Sequence, residues 1–359
     1  MKTTIVLACA VTLTCSFDAQ AQEARQFRDW YAACDNLRNC SAYGFGTQDA
    51  SPSAYLRIER GASPDAVAAL TITVDMSSGS TFGLQFDDRT LPGLPSGNLR
   101  GEEGDGHDMR RVRIQLTPAL VASMRKAKAI VVTRTDPPAR KLDAGDRRST
   151  ISMSGATAAL LWIDDRQQRL DTPTAFVRSG GKAPDAMLPL PAAPVIVAAK
   201  PQSGTAPKPD PAILAQVRKV CEGDDRAALE DSAALSPTLF LYSYACPDMS
   251  GAYNMNGVFM IVAAGNPKAA RAVDFVWPFK MADQPQDHPR TLATNASFDP
   301  KSMELQTFNK GRGIGDCGTA ETWVFDGRAF RLAELSMMSE CMGVPPDDWP
   351  VLYRAEVRR

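Results

Sequence analysis

Histidine is almost missing from this chain: its 359 residues hold two, His107 and His288. That excludes a multi-histidine metal centre and leaves imidazole acid–base catalysis little material. Net charge is missing as well, since 40 Lys+Arg against 41 Asp+Glu leave a formal −1. A protein built as a whole to coat nucleic acid would carry a large positive excess. No segment reaches the ~20 apolar residues that a membrane-spanning helix requires. A nucleophile elbow of the form G-x-S-x-G does not occur. Ser123-Met124-Arg125-Lys126 has S-x-x-K spacing, but the S-D-N and K-T-G elements that accompany it in penicillin-binding enzymes are absent. A hydrophobic content of 44% is ordinary for a folded protein, and the length implies two domains.

What is present starts at the N-terminus. Residues 1–21, MKTTIVLACAVTLTCSFDAQA, place Lys2 before an apolar stretch from Ile5 to Thr14 and end on the small-x-small trio Ala19-Gln20-Ala21. This is the pattern of a secretory signal peptide cut after Ala21. Lipidation at Cys9 or Cys15 is the alternative. The residues before each fit the Leu-small-small-Cys pattern poorly, so a cleaved, exported chain is expected.

Cleavage would leave Cys34, Cys40, Cys221, Cys246, Cys317 and Cys341. An even number in an exported chain implies disulfides. The six fall into three sequence-local couples, so the expected pairs are 34–40, 221–246 and 317–341. Each contributes ~2–4 kcal/mol, less for the short first loop. Zinc is not expected, because no C-x2-C pair exists and no histidine sits near a couple.

Composition divides the mature chain. Residues 181–211 carry eight prolines and many alanines, which reads as an extended interdomain linker. Within it, Val195-Ile196-Val197 could pair as a short edge strand. Residues 22–180 form the N-terminal domain and 212–359 the C-terminal one. Their charges are +2 (21 basic, 19 acidic) and −4 (15 basic, 19 acidic), and neither names a partner.

In the N-terminal half, Phe27–Cys34, Tyr55–Arg60, Ala69–Val74, Val112–Leu116 and Ile130–Thr133 read as strands. The period-two alternation of Tyr55–Arg60 and Ala69–Val74 indicates half-buried ones. Thr117-Pro118 opens a helix, and Ser152–Arg169 has helical spacing with basic residues in its last turns. This half is expected to be α+β. The C-terminal half reads as a mostly antiparallel β domain led by a helix over Pro211–Val220. Its strands are Leu239–Tyr244, Val258–Ala263, Ala272–Trp277, Leu292–Phe298, Glu304–Phe308, Thr322–Phe325, Phe330–Leu335 and Val351–Val357. Asp326-Gly327 predicts a tight hairpin turn.

Few residues suggest chemistry. Gly311-Arg312-Gly313-Ile314-Gly315-Asp316-Cys317-Gly318 lacks the G-x-G-x-x-G register and the following helix of a dinucleotide site. It reads as a tight loop pinned by Cys317, or as a ligand loop in which Arg312 and Asp316 stand beside Trp323. Asp164-Asp165 point ~100° apart on a helix and read as solvated surface, with Asp165 near Arg169. The acidic run 102–108 lacks the register of a calcium loop. Arg110, Arg111, Arg113, Arg125, Lys126 and Lys128 form the densest basic region, without the aromatics of a nucleic-acid site.

The segments FRDWYAACDNLRNCSAYG, SGATAALLWIDDRQQR, SGAYN, NASFDP, KGRGIGDCG, WVFDG and DDWPVLYRAEVR together resemble the domain-of-unknown-function 1176 family of exported proteobacterial proteins. The likeness spans nearly the whole mature chain. It implies a periplasmic location in a Gram-negative cell and brings no established activity. The front half also faintly resembles the invasion-associated locus B proteins. The expected function is a non-catalytic periplasmic binding protein recognising another protein or an envelope component, such as an inhibitor or immunity protein against a periplasm-acting toxin. Neither cofactor nor metal is expected. The alternatives are an envelope hydrolase using carboxylates, with Asp316 foremost, and a small-ligand binder using the Gly311–Gly318 loop, Arg312 and Trp323. Intact mass of the exported protein before and after alkylation is expected to show a chain starting at Gln22 with no alkylated thiol; one reactive thiol would contradict the pairing.

Overall fold

The computed structural model describes residues 23–47, 53–75, 80–87, 89, 99–103, 109–135, 147–183, 187, 189–202, 204–281 and 290–359. The first half forms strands β1 (Glu23–Phe27), β2 (Trp30–Cys34), β3 (Cys40–Phe45), β4 (Ala54–Arg60), β5 (Ala69–Asp75), β6 (Thr81–Phe86), β7 (Glu102–Glu103) and β8 (Met109–Gln115). Helix α1 (Pro118–Met124), β9 (Ala129–Thr135), β10 (Arg148–Ser152) and helix α2 (Ala156–Arg166) follow. The strands form a seven-stranded antiparallel sheet, ordered β1-β2-β3-β4-β5-β8-β7, and a three-stranded sheet, β10-β9-β6.

After β11 (Val195–Val197) and α3 (Pro211–Val220) come β12 (Ala228–Ser236), β13 (Leu239–Ala245), β14 (Asn256–Ala263), β15 (Asn266–Ala272) and β16 (Leu292–Thr294). The chain ends with β17 (Ser297–Asp299), β18 (Glu304–Lys310), β19 (Gly318–Phe325), β20 (Phe330–Met338), β21 (Val351–Arg354) and β22 (Glu356–Arg358). Strands β12 to β15 form one sheet with β16 paired to β14, and β17 to β21 form another. The Val195–Val197 segment pairs in parallel with Glu356–Arg358, so this part of the proline-rich stretch lies along the C-terminal half.

Period-two alternation builds two cores from the large sheet. Trp30, Leu56, Ile58, Leu70, Ile72 and Val74 face the three-stranded sheet and helices α1 and α2. The intervening Tyr31, Ala33, Tyr43 and Tyr55 join a second core with Phe259, Ile261, Trp323, Leu335 and Trp349 from the C-terminal half. A third cluster packs Ile213 and Val217 of α3 on Tyr242, Tyr244, Val258 and Met260.

The second core is locked by one carboxylate. Asp348 is 2% exposed, and Arg57 Nη1 donates to its Oδ1 at 2.8 Å. Arg111 Nη2 lies 3.0 Å from Oδ2, which also accepts the Tyr55 hydroxyl. The Asp348 backbone carbonyl accepts the Tyr43 hydroxyl at 2.7 Å.

The α+β reading is corrected by these strands. The protein is mostly β in both halves, with three α-helices among the described residues. The N-terminal half is not a balanced α+β domain: its helices shrink to seven and eleven residues, and β3, β6, β7 and β10 add to the expected strands. Phe27–Cys34 is not one strand either, because β1 turns into β2 at Arg28, whose φ is 56°. The strands expected to be half-buried are covered on both faces, since the C-terminal half packs over their Tyr, Thr and Arg side chains. Leu292–Phe298 breaks into β16 and β17 at Asn295, with φ 45°. Ala272–Trp277 is displaced by β15, which ends at Ala272. The Asp326-Gly327 hairpin forms, but Phe325 pairs with Phe330 across a four-residue loop.

Asp164 and Arg169 are not solvated surface. Both are 0% exposed, and Asp164 Oδ1 accepts from Arg60 Nη2 at 2.8 Å and from the Phe176 N–H at 2.9 Å. Arg169 instead spends its N–H groups on Gln167, Thr174 and the carbonyls of Gly61, Ser63 and Pro64. Burial pushes the Arg60 guanidinium down to about 10 against the opposing pull of Asp164, which leaves it charged at neutral pH.

Asp348→Ala strands two largely buried guanidiniums and is expected to cost ~3–5 kcal/mol. Tyr55→Phe, which removes one hydrogen bond, is expected to cost about 1–1.5 kcal/mol. Urea denaturation of both variants checks this order; equal losses would mean that the carboxylate does not lock the two halves.

Candidate functional site

Strands β18 and β19 pair from Glu304↔Val324 to Lys310↔Gly318, and the glycine-rich loop joins them. The Gly311 N–H donates to the Cys317 carbonyl at 2.7 Å, closing the loop at its neck. Gly318 sits at φ 135°, where a Cβ would fall 1.9 Å from the Asn309 carbonyl oxygen, so only glycine fits. The Cys317–Cys341 disulfide ties the neck to the segment after β20. The other two bridges join Cys34 to Cys40 and Cys221 to Cys246, so all three expected pairs form.

Inside the loop, Arg312 and Asp316 clamp each other. Arg312 Nε reaches Oδ1 at 2.7 Å and Nη2 reaches Oδ2 at 2.5 Å, while the Gly343 N–H donates to Oδ2 at 2.7 Å. Burial raises the Asp316 carboxyl, but Arg312 and the Gly343 N–H together outweigh it and hold the group below the usual carboxylate range. An acid held ionised in this way is a poor proton donor.

A second turn is clipped alongside. Asn254 Oδ1 accepts the Lys310 N–H at 3.1 Å, and Asn254 Nδ2 donates to the Lys310 carbonyl at 2.9 Å. Asn295 Nδ2 donates to the Phe308 carbonyl at 2.8 Å, and its Oδ1 accepts the Met255 N–H at 3.0 Å. Tyr253 borders the loop, since a Cβ on Gly313 would lie 3.5 Å from its Cδ1. The outer surface of the two braced turns presents Ile314 (75% exposed), Met255 (58%) and Tyr253 (41%).

Trp323 lies elsewhere. It is wholly buried, gives its indole N–H to Glu321 Oε2 at 2.9 Å, and packs edge-on to Phe275. It lies five positions along the strand that begins at Gly318, roughly 17 Å at an extended rise. Arg312 and Asp316 therefore share the loop and Trp323 belongs to the core. Sequence reasoning named the loop and passed over Tyr253, Met255, Ile314 and their asparagine braces. The available signal was a large apolar side chain isolated among glycines.

Among the described residues, no group of three His, Cys, Asp or Glu side chains is placed to hold a metal ion. No helix among them is long and apolar enough to cross a membrane. His107, His288 and residues 104–108 of the acidic run lie outside the described residues, as does the signal-peptide segment.

The chain belongs to the family described as protein of unknown function (DUF1176), whose model matches residues 24–356. It is 28% identical over 359 residues to a protein of Escherichia coli (strain K12) described as uncharacterized protein YpfG, with 93% of each chain covered. No solved structure matches it.

Asp316 titrates lower in the folded chain than in the unfolded one, so its contribution is complete above the unfolded value of ~3.9 and is lost as pH falls through the lower folded value. Asp316→Asn is expected to melt below the parent at pH 7, with the gap closing toward pH 2. A gap that stays constant across thermal melts over this range would show that ionised Asp316 does not brace the loop.

Proposed function

We infer that this is an exported, non-catalytic binding protein of the periplasm, that it recognises another protein or an envelope component, and that Ile314, Met255 and Tyr253 form its contact surface. The exposure of Ile314 carries this reading. With exposed Met255 and Tyr253 on the braced turn beside it, Ile314 makes an apolar patch of the kind that marks an interaction site. A loop fixed before binding also loses little conformational freedom on association, which favours affinity. The ionised, clamped state of Asp316 supports recognition over carboxylate-driven hydrolysis. Three disulfides fit an oxidising compartment, in keeping with the signal-peptide pattern of residues 1–21. An inhibitor or immunity protein is the concrete form, with the loop seated against an apolar recess of a periplasm-acting enzyme.

A photo-crosslinking side chain at position 314 of the exported full-length protein tests this in cells. Reproducible capture of one protein or envelope polymer is expected. Ile314→Asp should weaken the complex by about tenfold or more, as for a central apolar contact, with the melting temperature unchanged. Capture of nothing reproducible from position 314 overturns the reading.

A further inference from the structure

A separate concave surface lies where the large sheet meets the segment from Asp347 to Arg354. It is a cleft of about 480 Å³ whose walls include Tyr43, Arg57, Glu59, Arg113, Trp349 and Arg354. Small-molecule sites span roughly 300–1,000 Å³ and favour junctions of this kind. We propose that the cleft binds a small molecule carrying one carboxylate or phosphate monoester together with hydroxyl donors, its acidic group held between Arg113 and Arg354.

The register of the sheet supplies the first argument. Tyr43, Arg57, Thr71 and Arg113 are successive cross-strand partners on β3, β4, β5 and β8, so their side chains form one row on one face. Arg57 is committed to protein carboxylates, at 2.8 Å from Asp348 and 3.3 Å from Glu59. Arg113 is not: its side chain is 64% exposed and its one ion pair, with Glu59, is a loose 3.5 Å. Between the two stands Thr71, which is buried and does not line the cleft.

Arg354 provides the opposing wall. Its Nε is fixed at 3.0 Å from Asp35 Oδ2, and its backbone is fixed by the Asn36 side chain, which accepts the Arg354 N–H at 2.8 Å and donates to the Arg354 carbonyl at 2.9 Å. Asp35 is itself held by the Leu37 and Asn39 N–H groups. The guanidinium is therefore oriented, while its terminal nitrogens keep no acceptor among the described residues. One pre-positioned fork, at Arg354, and one exposed guanidinium free to swing in, at Arg113, match the oxygens of a carboxylate or phosphate.

The acids of the cleft set the rest of the specificity. Glu59 and Asp347 share its lining and would repel a compact polyanion. They would accept hydrogen bonds from hydroxyl groups. Valine and tryptophan at Val67 and Trp349 add an apolar wall for the body of the ligand.

Isothermal titration of the full-length mature protein with D-glucuronate and with glycerol 3-phosphate, at matched ionic strength, tests the proposal. Glucose and glycerol serve as neutral controls. Saturable binding of at least one acidic probe is expected, and the stronger of the two identifies the acid class. Arg113→Ala, an exposed position that should fold normally, is expected to weaken binding by about tenfold or more, as loss of a charge-assisted hydrogen bond does. Arg354→Lys, which keeps the charge and loses the fork, should weaken it too. Absence of saturable binding for both probes, or equal binding by parent and Arg113→Ala, overturns the site. Either result leaves the surface at Ile314 untouched, because the cleft shares no residue with it.

Discussion

The Asp348 carboxylate is the constraint on which the rest of the protein depends. It neutralises two arginines of the large sheet and accepts a tyrosine hydroxyl, while its own carbonyl accepts a second tyrosine. Without it the polar row of that sheet would have to face water. With it, the row becomes the floor of a second core that also holds Trp349, Trp323 and Phe259. The central strands β2 to β5, apolar on one face and rich in Tyr, Thr and Arg on the other, are thereby largely buried on both. Breaking such a buried pair is costly because the remaining charges have no water to turn to.

This explains which parts of the fold were legible in the sequence. Helix α3 could be read to its ends, because Asp210 caps it by accepting the Ala212 N–H and Pro211 stands at its first position. The cysteine couples could be read because each closes locally. The alternation of Tyr55-Leu56-Arg57-Ile58-Glu59 was read correctly as a strand and incorrectly as half-solvated. Nothing within such a strand reveals that an aspartate some 290 positions later covers its polar side. Asp164 and Arg169 misled for the same reason, since their partners Arg60, Gly61 and Ser63 lie about a hundred residues upstream. The missed strands are small-residue or polar segments: Cys40–Phe45 becomes a strand because neighbours on both sides pair with it, and Arg148–Ser152 because it pairs along its whole length with β9.

The glycine-rich loop divides in a similar way. Its glycines and cysteine announced a tight, pinned structure, while the pairing of Arg312 with Asp316 inside it is a contact that the sequence reading did not name. Its outward face depends on Asn254 and Asn295, which come from distant turns and clip Tyr253 and Met255 beside Ile314. Trp323, close in sequence, is carried away by the strand that begins at Gly318. Proximity along a β-strand separates side chains as effectively as it joins them along a helix.

The distance in sequence between Asp348 and its partners also means that the residues it joins are synthesised far apart in time. A chain delivered N-terminus first presents Tyr43, Tyr55, Arg57 and Arg111 long before residue 348 follows, with 291 positions between Arg57 and Asp348. During that interval the first sheet can pair its strands and close on helices α1 and α2, while its second face stays wet. Completion waits for the last dozen residues, where β21 docks and β22 zips to Val195–Val197. The end of the chain thus acts as a clasp: a copy interrupted shortly before Asp348 would hold nearly every strand and still lack the closure that joins them.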